Sequence, residues 1–176
     1  MLMTANDTAL VVIDLQQKLL PAIDGNERVL AQAVRIATIA GLLGVPVIGT
    51  EQLPDKLGPN HPDVRRLCDK TIPKHHFDAC AGGLLPALPA AVKQVVICGC
   101  EAHICLLQTA LSLLEKGFQV HVLTDACGSR STRDRDAAFA RLQQAGAVPV
   151  TVEMVAYEWM RTASHPQFKN VLKLIK

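Results

Sequence analysis

Residues 94–110, QVVICGCEAHICLLQTA, constrain the fold more than any other stretch of this chain. Val95-Val96-Ile97-Cys98 is a continuous apolar run with the β-branched content of a strand buried on both faces. Gly99 breaks the run. From Ile104 onward apolar residues recur three and four apart, at Ile104, Leu107, Ala110, Leu111 and Leu114, which predicts a helix. A strand passing through a tight turn into a helix places Cys105 in the helix's first turn. Unpaired backbone N–H groups and the positive end of the helix dipole stabilise a thiolate there and lower its pKa, and the same N–H groups can receive an oxyanion. The position equally suits a cysteine that is only a small core hydrophobe, because free cysteines are among the most buried residue types. A base and a cation elsewhere in the chain decide between the two.

The rest of the chain alternates in the same way. Thr8 to Asp14 (TALVVID) is an apolar run ending in a carboxylate, and Arg28 to Leu43 carries a helical stripe of Val29, Leu30, Ala33, Ile36, Ala37, Ala40 and Leu43 closed by Gly44. Val45 to Thr50 is a second buried strand. Glu51 to Asp63, with three prolines and a glycine, reads as a loop, and loops of that length are commonly functional. Asp69 to Lys74 is at most a short strand, followed by a polar, turn-rich HHFDACAGG and a weak helix around Gly83 to Ala90. Phe118 to Thr124 is a further strand ending at Asp125, Ser131 to Gln144 an amphipathic helix, Val148 to Val152 a last strand, and Glu153 to Lys176 one or two helices. This pattern predicts a single α/β domain over residues 1–176, a three-layer α/β/α Rossmann-like fold on a mostly parallel six-stranded sheet.

In such sheets ligands bind outside the carboxyl ends of the strands. Asp14, Glu51, Lys74, Cys105 and Asp125 all fall at or just past strand ends, so a parallel sheet brings them to one edge. A carboxylate placed directly after Val-Val-Ile is poorly solvated and suits a general base. Asp at a strand end also serves turn chemistry, and Lys74 alone also fits a solvated surface. Together with Cys105 they make an acid that takes the thiol proton, an ammonium that holds acid and sulfur in place, and a helix start for the oxyanion.

Composition excludes several alternatives. Net charge is +2 with Lys and Arg scattered, and aromatic residues make up 3%, which leaves neither a basic face nor stacking platforms for nucleic acid. No apolar run reaches the length of a membrane span and the first residues lack a signal-peptide pattern, so a cytoplasmic protein is expected. Six cysteines, Cys68, Cys80, Cys98, Cys100, Cys105 and Cys127, lie partly inside apolar runs, where reduced buried thiols are common. Cys98-x-Cys100 lacks the second pair that structural zinc needs.

The residues as a set resemble the isochorismatase-like cysteine hydrolases, a family that includes nicotinamidase and N-carbamoylsarcosine amidohydrolase. The matching pieces are VVIDLQ around Asp14, the strand ending VIGTEQ, IPKHHFDAC around Lys74, CGCEAHICLLQTA and LTDACGSR. TEQLPDKLG and GCEAHIC are similar to the YcaC-like branch, also called isochorismatase-domain-containing proteins, whose substrates are largely unassigned. The resemblance implies a catalytic triad of Asp14, Lys74 and the nucleophile Cys105, a cis Cys100–Glu101 peptide, and an oxyanion hole built from the N–H groups of Glu101 and Cys105. It further implies a small-molecule pocket touching Gln16, Gln52, Phe77 and Ala102, no cofactor, and a homo-oligomer, a dimer or higher. Metal-binding nicotinamidases have Asp-x-His where this chain has Glu51-Gln52, so His61, His75, His76 and His103 are expected at the surface or as polar lining and no metal is expected. Isochorismatase proper lacks the cysteine, so Cys105 favours acyl chemistry on a small amide or related C–N bond. A catalytically silent binding or assembly module that keeps the triad by descent is the alternative reading; a redox-active thiol needs a resolving cysteine, and Cys100, though close in sequence, gives no C-x-x-C geometry.

Overall fold

The computed structural model describes residues 2–176. Six strands, β1 (Thr8–Ile13), β2 (Val47–Gln52), β3 (Lys70–Lys74), β4 (Gln94–Cys100), β5 (Gln119–Gly128) and β6 (Val148–Val150), form one sheet in the order β3-β2-β1-β4-β5-β6. All five pairings are parallel, beyond the mostly parallel sheet expected. β1 and β4 are buried at every residue, as continuous apolar strands between two layers must be. The edge strands β3 and β6 each carry a proline, Pro73 and Pro149, where a missing donor does least harm to the ladder.

Among the described residues eight α-helices complete the fold: α1 (Asn26–Leu43), α2 (Pro54–Leu57), α3 (Pro62–Arg65), α4 (Leu84–Ala87), α5 (Leu107–Glu115), α6 (Thr132–Gln144), α7 (Val152–Met160) and α8 (Phe168–Ile175). α1 packs across the central strands with α7 and α8 beside it, while α5 and α6 share the other layer. Right-handed crossovers from β1 to β2 and from β4 to β5 require this split, because the two connections run in opposite directions along the sheet. The direction of winding therefore reverses between β1 and β4, and the crevice of such a sheet lies outside the carboxyl ends of those two strands.

Several local expectations change. Gly99 does not end β4: the strand continues to Cys100 through a register shift against β5. Gly99 has φ +116°, and a Cβ there would stand 2.0 Å from the carbonyl oxygen of Ile13, so the backbones of β4 and β1 approach as only glycine permits. The Glu51–Asp63 stretch is not a plain loop. Its first two residues finish β2, and the two prolines at Pro54 and Pro62 open the one-turn helices α2 and α3, a position that needs no proline N–H. β5 runs past Asp125, whose carboxylate oxygens accept the N–H of Val152 at 3.1 Å and cap α7, so Asp125 serves the fold and not the crevice. The C-terminal VLKLI segment packs on α1 and α7 with Val171 fully buried.

Two measurements probe this frame. Gly99→Ala loses about 3 kcal/mol or more in urea unfolding, because both the positive φ and the contact with Ile13 must be relieved. His121 on β5 is buried with no hydrogen-bond partner for either ring nitrogen, and burial lowers its pKa, with Glu158 opposing the shift. The unfolded chain then binds the proton first, so stability is full above the ordinary imidazole value of 6.5 and declines as pH falls below it. His121→Leu gives a melting temperature that drops less between pH 7 and pH 5 than the wild type's.

Candidate active site

Asp14 is the first residue after β1, with φ +45° and no exposed surface. Its backbone N–H donates to the carbonyl of Thr50 at 3.3 Å, which ties the end of β1 to β2. Its Oδ1 accepts the hydroxyl of Thr50 at 2.7 Å, and its Oδ2 accepts Lys74 Nζ at 2.7 Å. Lys74 ends β3, two strands away, and its ammonium is equally buried. Nζ donates also to Gln52 Oε1 at 2.7 Å and to the carbonyl of His76 at 3.4 Å. The three ammonium protons thus have three acceptors.

Alternation along β2 explains which side chains meet. Thr50 and Gln52, two apart, share the face turned to Asp14 and Lys74, while Glu51 turns away to accept the N–H of Asn60 at 2.8 Å beside Arg65. Gln52 and Lys74 are register partners across β2 and β3.

Cys105 sits in a five-residue π-helical turn, Ala102–Leu106, that follows β4 and leads into α5, in place of the α-helical first turn expected. π turns are frequent at functional sites. The sulfur lies 3.9 Å from Gln52 Oε1 with Asp14 and Lys74 both within reach. At 7% exposure Cys105 is the member of the triad that comes closest to the surface. Its thiol corrects the expected lowering of the pKa. Burial, and next the negative charge of Asp14, push it up to about 12, and the Lys74 ammonium offsets only part of this.

The structure therefore brings Asp14, Lys74 and Cys105 together. The Cys100–Glu101 peptide is cis. The Glu101 carboxylate is held by Arg130, through Nε at 2.9 Å and the backbone N–H at 3.3 Å. Gln16 and Ala102 have no exposed surface, so neither faces open solvent, whereas Phe77 is 52% exposed. Gln16 works on backbone: its Nε2 donates to the carbonyls of Gln52 and Gly58 at 2.9 and 2.7 Å, and its Oε1 accepts the N–H of Gln52 at 2.8 Å. His75 and His76 are exposed and contribute their carbonyls, not their rings, to the site. His61 caps α3, and His103 meets Ser129 at 2.9 Å. Among the described residues no group of three His, Cys, Asp or Glu side chains is arranged to hold a metal ion. Thr50 and Arg130 were not anticipated. The signal for Thr50 was its two-residue offset from Gln52 on one strand.

The Isochorismatase domain model matches residues 8–154. The chain belongs to the isochorismatase family of hydrolases. Among curated relatives it is 40% identical to isochorismatase domain-containing protein 2A of Mus musculus over 173 residues, 95% of this chain and 82% of that protein. Among solved structures, MAR1 ribonuclease from Caenorhabditis elegans superposes with a TM-score of 0.95 at 36% identity, covering 99% of this chain and 92% of that one. YcaC from Pseudomonas aeruginosa with hexane-2,5-diol and covalent acrylamide gives 0.91 at 28% identity, with coverages of 98% and 91%. The Escherichia coli YcaC gene product, an octameric hydrolase of unknown specificity, gives 0.88 at 26% identity, with coverages of 98% and 95%. Within the isochorismatase family the chain falls in the YcaC-like branch.

The buried pair yields a stability test. Lys74→Met leaves Asp14 buried beside no countercharge and destabilises the protein by about 3–5 kcal/mol in urea unfolding. The double variant Asp14→Asn/Lys74→Met recovers a large part of that loss, because no charge is then stranded.

Proposed function

We propose that this isochorismatase-family protein is a cysteine hydrolase that cleaves a small amide or a related C–N bond, with Cys105 as nucleophile, Asp14 as general acid and base, and Lys74 as the fixed cation. One observation carries the reading. A fully buried carboxylate–ammonium pair, 2.7 Å apart, lies against Cys105, which at 7% exposure is the least buried of the three. A buried ion pair is weak evidence for stability, so chemistry is the better reason for keeping one there.

The resting site holds a neutral thiol beside ionised Asp14 and Lys74. As the sulfur attacks the substrate carbonyl, its proton passes to Asp14, a C–S bond forms and the carbonyl electrons move to oxygen. The N–H groups of Glu101 and Cys105 receive that oxyanion. Collapse re-forms the carbonyl, breaks the C–N bond and moves the Asp14 proton to the leaving nitrogen. Water then gives a proton to Asp14 and attacks the thioester, and the departing sulfur takes the proton back, releasing the acid. Lys74 has no spare proton for these transfers, so it acts as charge and anchor.

Support comes from the Pseudomonas YcaC structure, whose covalent acrylamide is the kind of electrophile that thiols attack. We propose that a small molecule reaches Cys105 from the side of the exposed Phe77. His75 and His76, just before Phe77, hang the loop on Gln52 and Lys74. A homo-oligomer is expected, as for the octameric Escherichia coli YcaC product.

A screen of small amides, carbamoyl compounds and nicotinamide is run on wild type and Cys105→Ala, with RNA included because one structural relative is called a ribonuclease. Wild type turns over at least one C–N substrate, and Cys105→Ala loses at least about a thousandfold in rate while melting at an unchanged temperature. Turnover retained by Cys105→Ala refutes the assignment, and RNA cleavage without amide cleavage refutes the substrate class.

A further inference from the structure

Gln52 was expected to touch substrate, yet every one of its polar groups is already engaged with the protein. Its backbone N–H and carbonyl are both clamped by the side chain of Gln16, which is itself without exposed surface. Its Nε2 donates to the carbonyl of His75 at 2.8 Å, and this bond fixes which end of the amide faces the site. The outward atom must therefore be Oε1, an acceptor, and it receives the Lys74 ammonium at 2.7 Å with the Cys105 sulfur 3.9 Å away. One neutral oxygen thus touches both the cation and the nucleophile, opposite the carboxylate of Asp14.

We propose that Gln52, locked by Gln16, is a positioning residue: its carbonyl oxygen holds the Lys74 ammonium against Asp14 and presents a neutral acceptor to the Cys105 thiol. Neutrality is the point of the amide. A carboxylate of the same length would compete with Asp14 for Lys74 and set a second negative charge beside the sulfur, making the thiolate harder to form. An apolar side chain of the same length would leave the sulfur facing Asp14 and Lys74 alone. Gln52 acts through Cys105 and Lys74 and need not contact substrate.

This inference rests on Cys105 being the nucleophile, but its test needs no substrate. Iodoacetamide labels thiolate, so the labelling rate at fixed pH follows the fraction ionised. The rate is measured on the Cys105 peptide by mass spectrometry between pH 7 and pH 9 in intact Gln52→Met and Gln52→Glu proteins, which differ in charge and hardly in length. The Glu protein labels at least about tenfold more slowly than the Met protein at each pH, one pKa unit or more of displacement. An amide with no positioning role leaves Gln52→Met labelling at the wild-type rate, so a Met rate within about threefold of wild type, or equal Met and Glu rates, overturns the proposal. If Gln52→Glu does not fold, Gln16→Met carries the test: releasing the clamp changes Cys105 labelling more than about threefold relative to wild type, and an unchanged rate overturns the proposal. Failure of the hydrolase reading is recognised separately, by turnover in Cys105→Ala, and leaves these rates as they are.

Discussion

A carboxylate and an ammonium with no exposed surface, Asp14 and Lys74, face each other at 2.7 Å, and much of the architecture serves that contact. Removing each ion from water costs several kcal/mol even after relaxation. The site offsets the cost with the pair's own attraction and with full hydrogen bonding: Thr50 on the carboxylate, Gln52 and the carbonyl of His76 on the ammonium. Each partner depends on strand order. Asp14 leaves β1 next to Thr50 on β2, and Gln52 on β2 is the register partner of Lys74 on β3. Moving β3 one residue along β2 would separate the ammonium from its acceptors.

Burial first, and then the same pair, set the state of the sulfur. Cys105 arrives from the other side of the reversal point, on the turn after β4, and meets a carboxylate that discourages ionisation more than the adjacent ammonium encourages it. The reversal of winding between β1 and β4 is thus where an acid, a cation and a sulfur from three separate strand ends converge.

Much of this was legible in the chain before any coordinates. Asp14, Lys74 and Cys105 stand at the ends of recognisable strands, and a parallel sheet can only bring such ends to one edge. What stayed hidden depends on distant contacts. Gly99 reads as a stop, yet the close approach of Ile13 makes it a passage through which β4 continues. Asp125 reads as a member of the edge, but β5 runs on past it and its carboxylate caps α7. The sign of the Cys105 shift was missed because local sequence shows the helix start, whereas the burial and the carboxylate that win come from other strands. The Gln16 clamp was invisible for a simpler reason: no periodicity tells which amide side chain will pair with a peptide group thirty-six positions away.

Burial, with the Asp14 carboxylate adding to it and Lys74 offsetting only part, keeps Cys105 as a protonated thiol in the resting protein. Infrared absorption of the S–H stretch, taken as wild type minus Cys105→Ala at pH 7, observes that proton directly. A positive S–H band that persists to pH 9 is the predicted result. A difference spectrum without the band at pH 7 would mean that Cys105 rests as a thiolate, and the account given for the site would be wrong.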